Sequence, residues 1–194
     1  MKKILSILLA LTLVLSLGIA AFAADTYTIT MNTTKGHAYT AYQVFKGDLA
    51  ETKNDDGNVT KKVLSNIEWG EGVDGDALLK ALQDDENYGT AFTDCTDAAS
   101  VAEVLGNYTS NSEVIKAIAK IIYDNKKGSG TSGNGKIEDL AAGYYLIVDT
   151  TEEMPDGQTY SDYMLEVVSD VEVNAKDGTT TSEKKVKDKN DTDG

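Results

Sequence analysis

The apolar positions of this chain alternate near both ends and recur at helical spacing in the middle. Along Tyr163 to Lys176, Leu165, Val167, Ser169, Val171 and Val173 fall on one side of an extended strand. Glu166, Val168, Asp170, Glu172, Asn174 and Lys176 fall on the other. The first set is nearly all apolar and the second mostly polar. The pattern predicts a half-buried strand with Lys176 on its wet side, where the alternation stops. Nearer the start, Tyr27, Ile29 and Met31 alternate with Thr26, Thr28 and Thr30, and Lys35-Gly36 turns the chain into a second predicted strand, Ala38 to Phe45, with Tyr42 and Val44 on one face. Tyr144 to Val148, after Gly143, is a continuous apolar run of the kind that is covered on both faces.

Between these strands the period changes. Asp76 is placed to cap a helix over Ala77 to Gln83, and Asp97 to begin a second that runs through Leu105 and stops at Gly106. Ser110 with Glu113 forms a capping box ahead of Val114, Ile115, Ile118, Ile121 and Ile122, one apolar stripe of a third helix. Lys127 to Lys136 is rich in glycine and serine and is expected to be a flexible excursion. Strands at both ends with helices between them predict a mainly β chain, a β-sandwich carrying a helical elaboration. About 150 residues suffice to bury one core without cross-links.

Charge narrows the partners. The formal net charge is −14 and every cation is a lysine, which disfavours nucleic acid and anionic membrane surfaces as targets. Cys95 is the single cysteine, so no disulfide can form within the chain. Lys2, Lys3, the apolar run Ile4 to Leu17 and Ala21-Phe22-Ala23 read as a signal peptide over residues 1–23 with Ala24 as the mature N-terminus. An uncleaved anchor is the alternative, against which the run is shorter than the roughly 20 residues a span needs.

No catalytic set emerges from the residue types. His37 is the only histidine and is expected at the surface or an edge, in a Lys35-Gly36-His37 turn. With one histidine and one cysteine, neither a zinc site nor a Cys–His relay is indicated. Cys95 is expected to be a small packing residue and Trp69 a partly buried one, although a tryptophan can also stack on a sugar. Asn54 to Asn58 reads as a solvated turn, because its carboxylates lack the ligand spacing of a calcium loop. No cofactor motif is present, and no pair of acids is marked out for glycoside hydrolysis.

Three stretches carry a resemblance. Ala38-Tyr39-Thr40-Ala41-Tyr42-Gln43-Val44-Phe45-Lys46-Gly47-Asp48-Leu49, Asn66-Ile67-Glu68-Trp69-Gly70 and Ala142-Gly143-Tyr144-Tyr145-Leu146-Ile147-Val148-Asp149 resemble, in order, the N-terminal domain of Gram-positive backbone pilins, the shaft subunits that sortases polymerise. The resemblance implies an Ig-like β-sandwich of the pilin (CnaB) type with short helices inserted. It divides the chain into a signal peptide (1–23), an N-terminal pilin domain (24–176), a linker (177–182) and the start of a second domain (183–194), the whole read as the front of a longer subunit, with a complete small secreted protein as the alternative. Val171-Glu172-Val173-Asn174-Ala175-Lys176 matches the position of the family's pilin motif, with Ala175 where proline is usual. By that resemblance Lys176 attacks the acyl-enzyme formed between a sortase and another subunit's sorting signal, giving an intermolecular isopeptide bond.

Further implications follow from the same likeness. Lys184 or Lys185 resembles the lysine of an internal Lys–Asn bond in the next domain, whose partners would lie after Gly194. No such bond is expected in the first domain, where Val148 stands at the position of the family's acid. The expected partners are other pilin subunits, a pilin sortase and host surface ligands, at the cell wall or in a surface fimbrium. Two rivals remain: an adhesin or minor pilin binding a host glycan or protein through an exposed aromatic patch, and a secreted hydrolase with two convergent carboxylates in a cleft.

Overall fold

The computed structural model describes residues 26–32, 36–108, 113–152 and 163–174. In chain order these form β1 (Tyr27–Asn32), β2 (Tyr39–Lys53), β3 (Val59–Trp69), α1 (Gly75–Gln83), a 3-10 turn (Gly89–Phe92), α2 (Ala98–Gly106), α3 (Glu113–Asp124), β4 (Thr131–Gly133), β5 (Lys136–Leu140), β6 (Gly143–Asp149), β7 (Tyr163–Val167) and β8 (Val171–Asn174). The chain is mainly β, in an arrangement compatible with a β-sandwich. One sheet has the order β5-β1-β8; the other runs β3-β2-β6-β7, with β4 also paired to β2.

Period-two alternation explains the layers. On β2 and β6, Tyr39, Ala41, Tyr145 and Ile147 point toward the smaller sheet and meet Tyr27, Ile29, Met31, Ile137, Leu140 and Val173 in one apolar core. Tyr42, Val44, Leu146 and Val148 point the other way, into a second core under the helices with Leu78, Leu82, Phe92, Val101, Ile118 and Ile122. The larger sheet is therefore covered on both faces, and Tyr145 to Asp149 of β6 are buried without interruption. A register shift between Gln43 and Phe45 against β6 breaks the alternation and turns Phe45 to the helix side, where it stacks on Trp69 at 5.4 Å between ring centroids.

The helices form where the pattern placed them, with shifted ends. The first is capped by Asp74, whose carboxylate accepts from the Ala77 N–H, so it starts at Gly75 rather than after Asp76. Asp97 caps the second as expected, with Ser100 completing a reciprocal capping box. That helix includes Gly106 and ends on Asn107 in right-handed geometry, so the glycine is not the stop. Ile115, Ile118, Ala119 and Ile122 form the buried stripe of α3. The proposed Ser110 cap lies outside the described residues, Glu113 being the first residue of the helix.

Two further expectations are corrected. Lys127 to Lys136 is not all excursion, because Thr131–Gly133 pairs with Tyr39–Ala41 and Lys136 opens β5. The strand from Tyr163 is not continuous. It breaks over Val168–Asp170, so that β7 pairs with β6 in one sheet and β8 with β1 in the other. The alternating face survives the break: Leu165, Val167, Val171 and Val173 all contact the inter-sheet core, which the strand faces from both sides.

Candidate functional site

β8 is the outer strand of the smaller sheet. Its Val173 is buried, whereas Glu172 and Asn174 are exposed, as their alternation predicts. Asn174 is the last described residue. Lys176, Lys184 and Lys185 lie outside the described residues, as do the signal peptide, the linker and the second-domain start.

The described residues bring together a different group, which sequence reasoning missed. His37 precedes β2 by two positions and Asp149 ends β6, directly across the register from Tyr39. The backbone ladder continues one step past both strands through Thr150 N–H donating to Ala38 O at 2.8 Å. His37 Nδ1 then lies 2.6 Å from Asp149 Oδ2, both side chains being fully shielded from solvent. The second carboxylate oxygen accepts from the Thr151 hydroxyl at 2.5 Å and the Thr151 N–H at 3.1 Å. Ala38 N–H in turn donates to Thr151 Oγ1 at 3.0 Å, and the imidazole stacks against Tyr39 at 6.0 Å.

His37 is therefore a buried residue and not the surface or edge residue its turn suggested. The glycine-led approach hid its burial; the signal that could have found it was the period-two spacing from Tyr39, which places it on the same inward side. A carboxylate on Nδ1 fixes the orientation of an imidazole, the arrangement that also orients a catalytic base. Here it is closed off from solvent, where it joins the approach to β2 to the exit from β6. Beside it, Thr40 Oγ1 contacts Ser132 Oγ at 2.8 Å and Thr150 Oγ1 at 3.1 Å, tying β4 into the same corner.

The other chemistry-bearing residues are placed as follows. Cys95 is buried and its thiol is pushed up by that burial, in keeping with a packing role. Trp69 is partly buried, with Phe45 on one face and the Gly75 backbone against its ring. Tyr144 and Glu166 are cross-strand partners on β6 and β7. Desolvation pushes the pKa of both groups up; Glu166 raises Tyr144 further, whereas the hydrogen bond from Tyr144 pulls Glu166 partly back down. Desolvation also raises Tyr145, to about 12, and its hydroxyl donates to Ala141 O at 2.8 Å. Val148 sits in the helix-side core. The Asn54–Asn58 tip is an exposed turn closed by Asn54 N–H on Asn58 O and Asn58 N–H on Asn54 Oδ1.

A scan against protein-family models gave no match to this chain, and a search of curated proteins gave none either. The class established by the coordinates is thus a mainly β chain with one sheet clad by helices.

Proposed function

We propose that this chain is a structural shaft subunit of a covalently polymerised cell-surface pilus, exported and non-enzymatic. In this reading its β arrangement is the Ig-like sandwich of a pilin domain, residues 24–176. Lys176 accepts the acyl group of another subunit's sorting signal from a sortase. The observation that carries the reading is the position of the three stretches resembling backbone pilins. Though separated by tens of residues, they contain most of β2, the end of β3 and the whole of β6, which are neighbours in one sheet. Tyr42 of the first block stands opposite Leu146 of the third, and Phe45 of the first opposite Trp69 of the second.

The chemistry of the acceptor is consistent with the chain order. The last described strand ends at exposed Asn174, and Ala175-Lys176 follows it in sequence. A free lysine has a pKa of about 10.4, so at neutral pH it is largely ammonium and not nucleophilic. The attacking amine must lose its proton when the enzyme docks, by desolvation or to a base of the enzyme. The subunit supplies a substrate nucleophile and the sortase supplies catalysis. Tryptic mass spectrometry of assembled polymer tests this directly. A branched peptide joined through Lys176 Nζ is expected; branching confined to other lysines would overturn the assignment.

A further inference from the structure

We infer that β1 and β8 form a clamp that resists tension applied between the two ends of the described fold. β1 is the first described strand and β8 the last, and they lie side by side running in the same direction. The start of β1 and the end of β8 are consequently at opposite ends of the pair. A pull between them runs along the strands and loads the register pairs Ile29↔Val171, Thr30↔Glu172, Met31↔Val173 and Asn32↔Asn174 together. An antiparallel pair would bring entry and exit to the same end, where a pull opens the ladder one bond at a time.

Side chains tie both ends of the pair. Thr28 N–H donates to Asp170 Oδ1 at 2.9 Å, and Asn32 Nδ2 donates to Asn174 Oδ1 at 3.3 Å. β1 is held on its other edge by β5 and by Met31 N–H on Gly135 O at 2.8 Å. Ile29, Met31 and Val173 are buried in the inter-sheet core, so sliding one strand past the other drags apolar side chains through packed surroundings. Peeling is a different matter. β8 has four residues, two of them exposed, and little holds it when its bonds are broken in sequence. The resistance is therefore directional. It follows from strand direction and not from the shaft reading, and it is measured on the isolated chain.

Single-molecule force spectroscopy on residues 24–194 tests it, with Cys95→Ala in every arm so that handles attach only where intended. One arm pulls the chain by its two ends. A second pulls between the N-terminal end and Ser169→Cys, which precedes β8 at the same end as the start of β1. The end-to-end arm is expected to unfold at several times the force of the second, and Asp170→Ala with Asn174→Ala is expected to lower the end-to-end force. Equal forces in the two arms would overturn the clamp; an end-to-end force unchanged in the double variant would remove the side-chain ties from it.

Discussion

His37 Nδ1 and Asp149 Oδ2 lie 2.6 Å apart although 112 residues separate them in sequence, and both side chains are closed off from solvent. Among the described residues, the other ion pairs are exposed or half-exposed surface pairs. Such pairs contribute little. Removing one partner of a buried pair leaves the other unmatched in a low dielectric, which costs about 3–5 kcal/mol. His37→Ala is therefore expected to lower unfolding stability by about that amount in urea titrations. The double replacement His37→Leu with Asp149→Leu should recover much of the loss, since no lone charge remains. A single-variant cost under about 1 kcal/mol would show that the pair is not structural.

Trp69 and Gly75 test the packing between β3 and the first helix. A Cβ at position 75 would lie 2.3 Å from the Trp69 ring, which is backed by Phe45. Alanine is intrinsically better than glycine in a helix by about 1 kcal/mol, but overpacking costs about 1–3 kcal/mol. Gly75→Ala is accordingly expected to destabilise the protein and to shift the emission of its single tryptophan. An unshifted spectrum with raised stability would contradict the contact.

Glu166 gives a pH-dependent expectation. Its pKa is raised in the fold, chiefly by desolvation, so the folded state favours the protonated form. The native state then binds more protons than the unfolded one between the two pKa values, and stability falls as pH rises through that window. Its contribution is fully favourable only below the unfolded value of about 4.3. Glu166→Gln keeps an acceptor for Tyr144 without the charge. Its melting temperature should exceed the wild type's at pH 7, by a small margin because Glu166 is exposed in the fold, and match it near pH 4. Glu172→Gln, on exposed β8, serves as the control for the general loss of negative charge. Equal gains from the two variants would assign the effect to net charge alone.

How much of this was legible beforehand depends on what each residue's neighbours in sequence reveal. Of the predicted face, Leu165, Val167, Val171 and Val173 reach the same core, while Ser169, inside the break, is exposed. The break at Val168–Asp170 was not legible, since a strand that changes sheets while facing one core keeps its period. β3 escaped notice because much of it is the exposed limb of a ribbon, with Val59 to Lys61 open to solvent and no apolar rhythm to mark them. β4 and β5 escaped for a related reason. Gly130, Gly133 and Gly135 look like linker, yet Gly133 pairs with Tyr39, and a Cβ there would meet Lys136 O. The His37–Asp149 contact is set by tertiary register, which no local pattern records.

Lys176 is where the proposed function is tested most directly. The full-length subunit and its sortase are co-expressed, with Lys176 intact or replaced by alanine, and cell-wall extracts are separated on a denaturing gel. The account predicts a ladder of covalent oligomers from the wild type and monomer alone from Lys176→Ala, with folded protein exported in equal amount from both. An undiminished ladder from the alanine variant would contradict it.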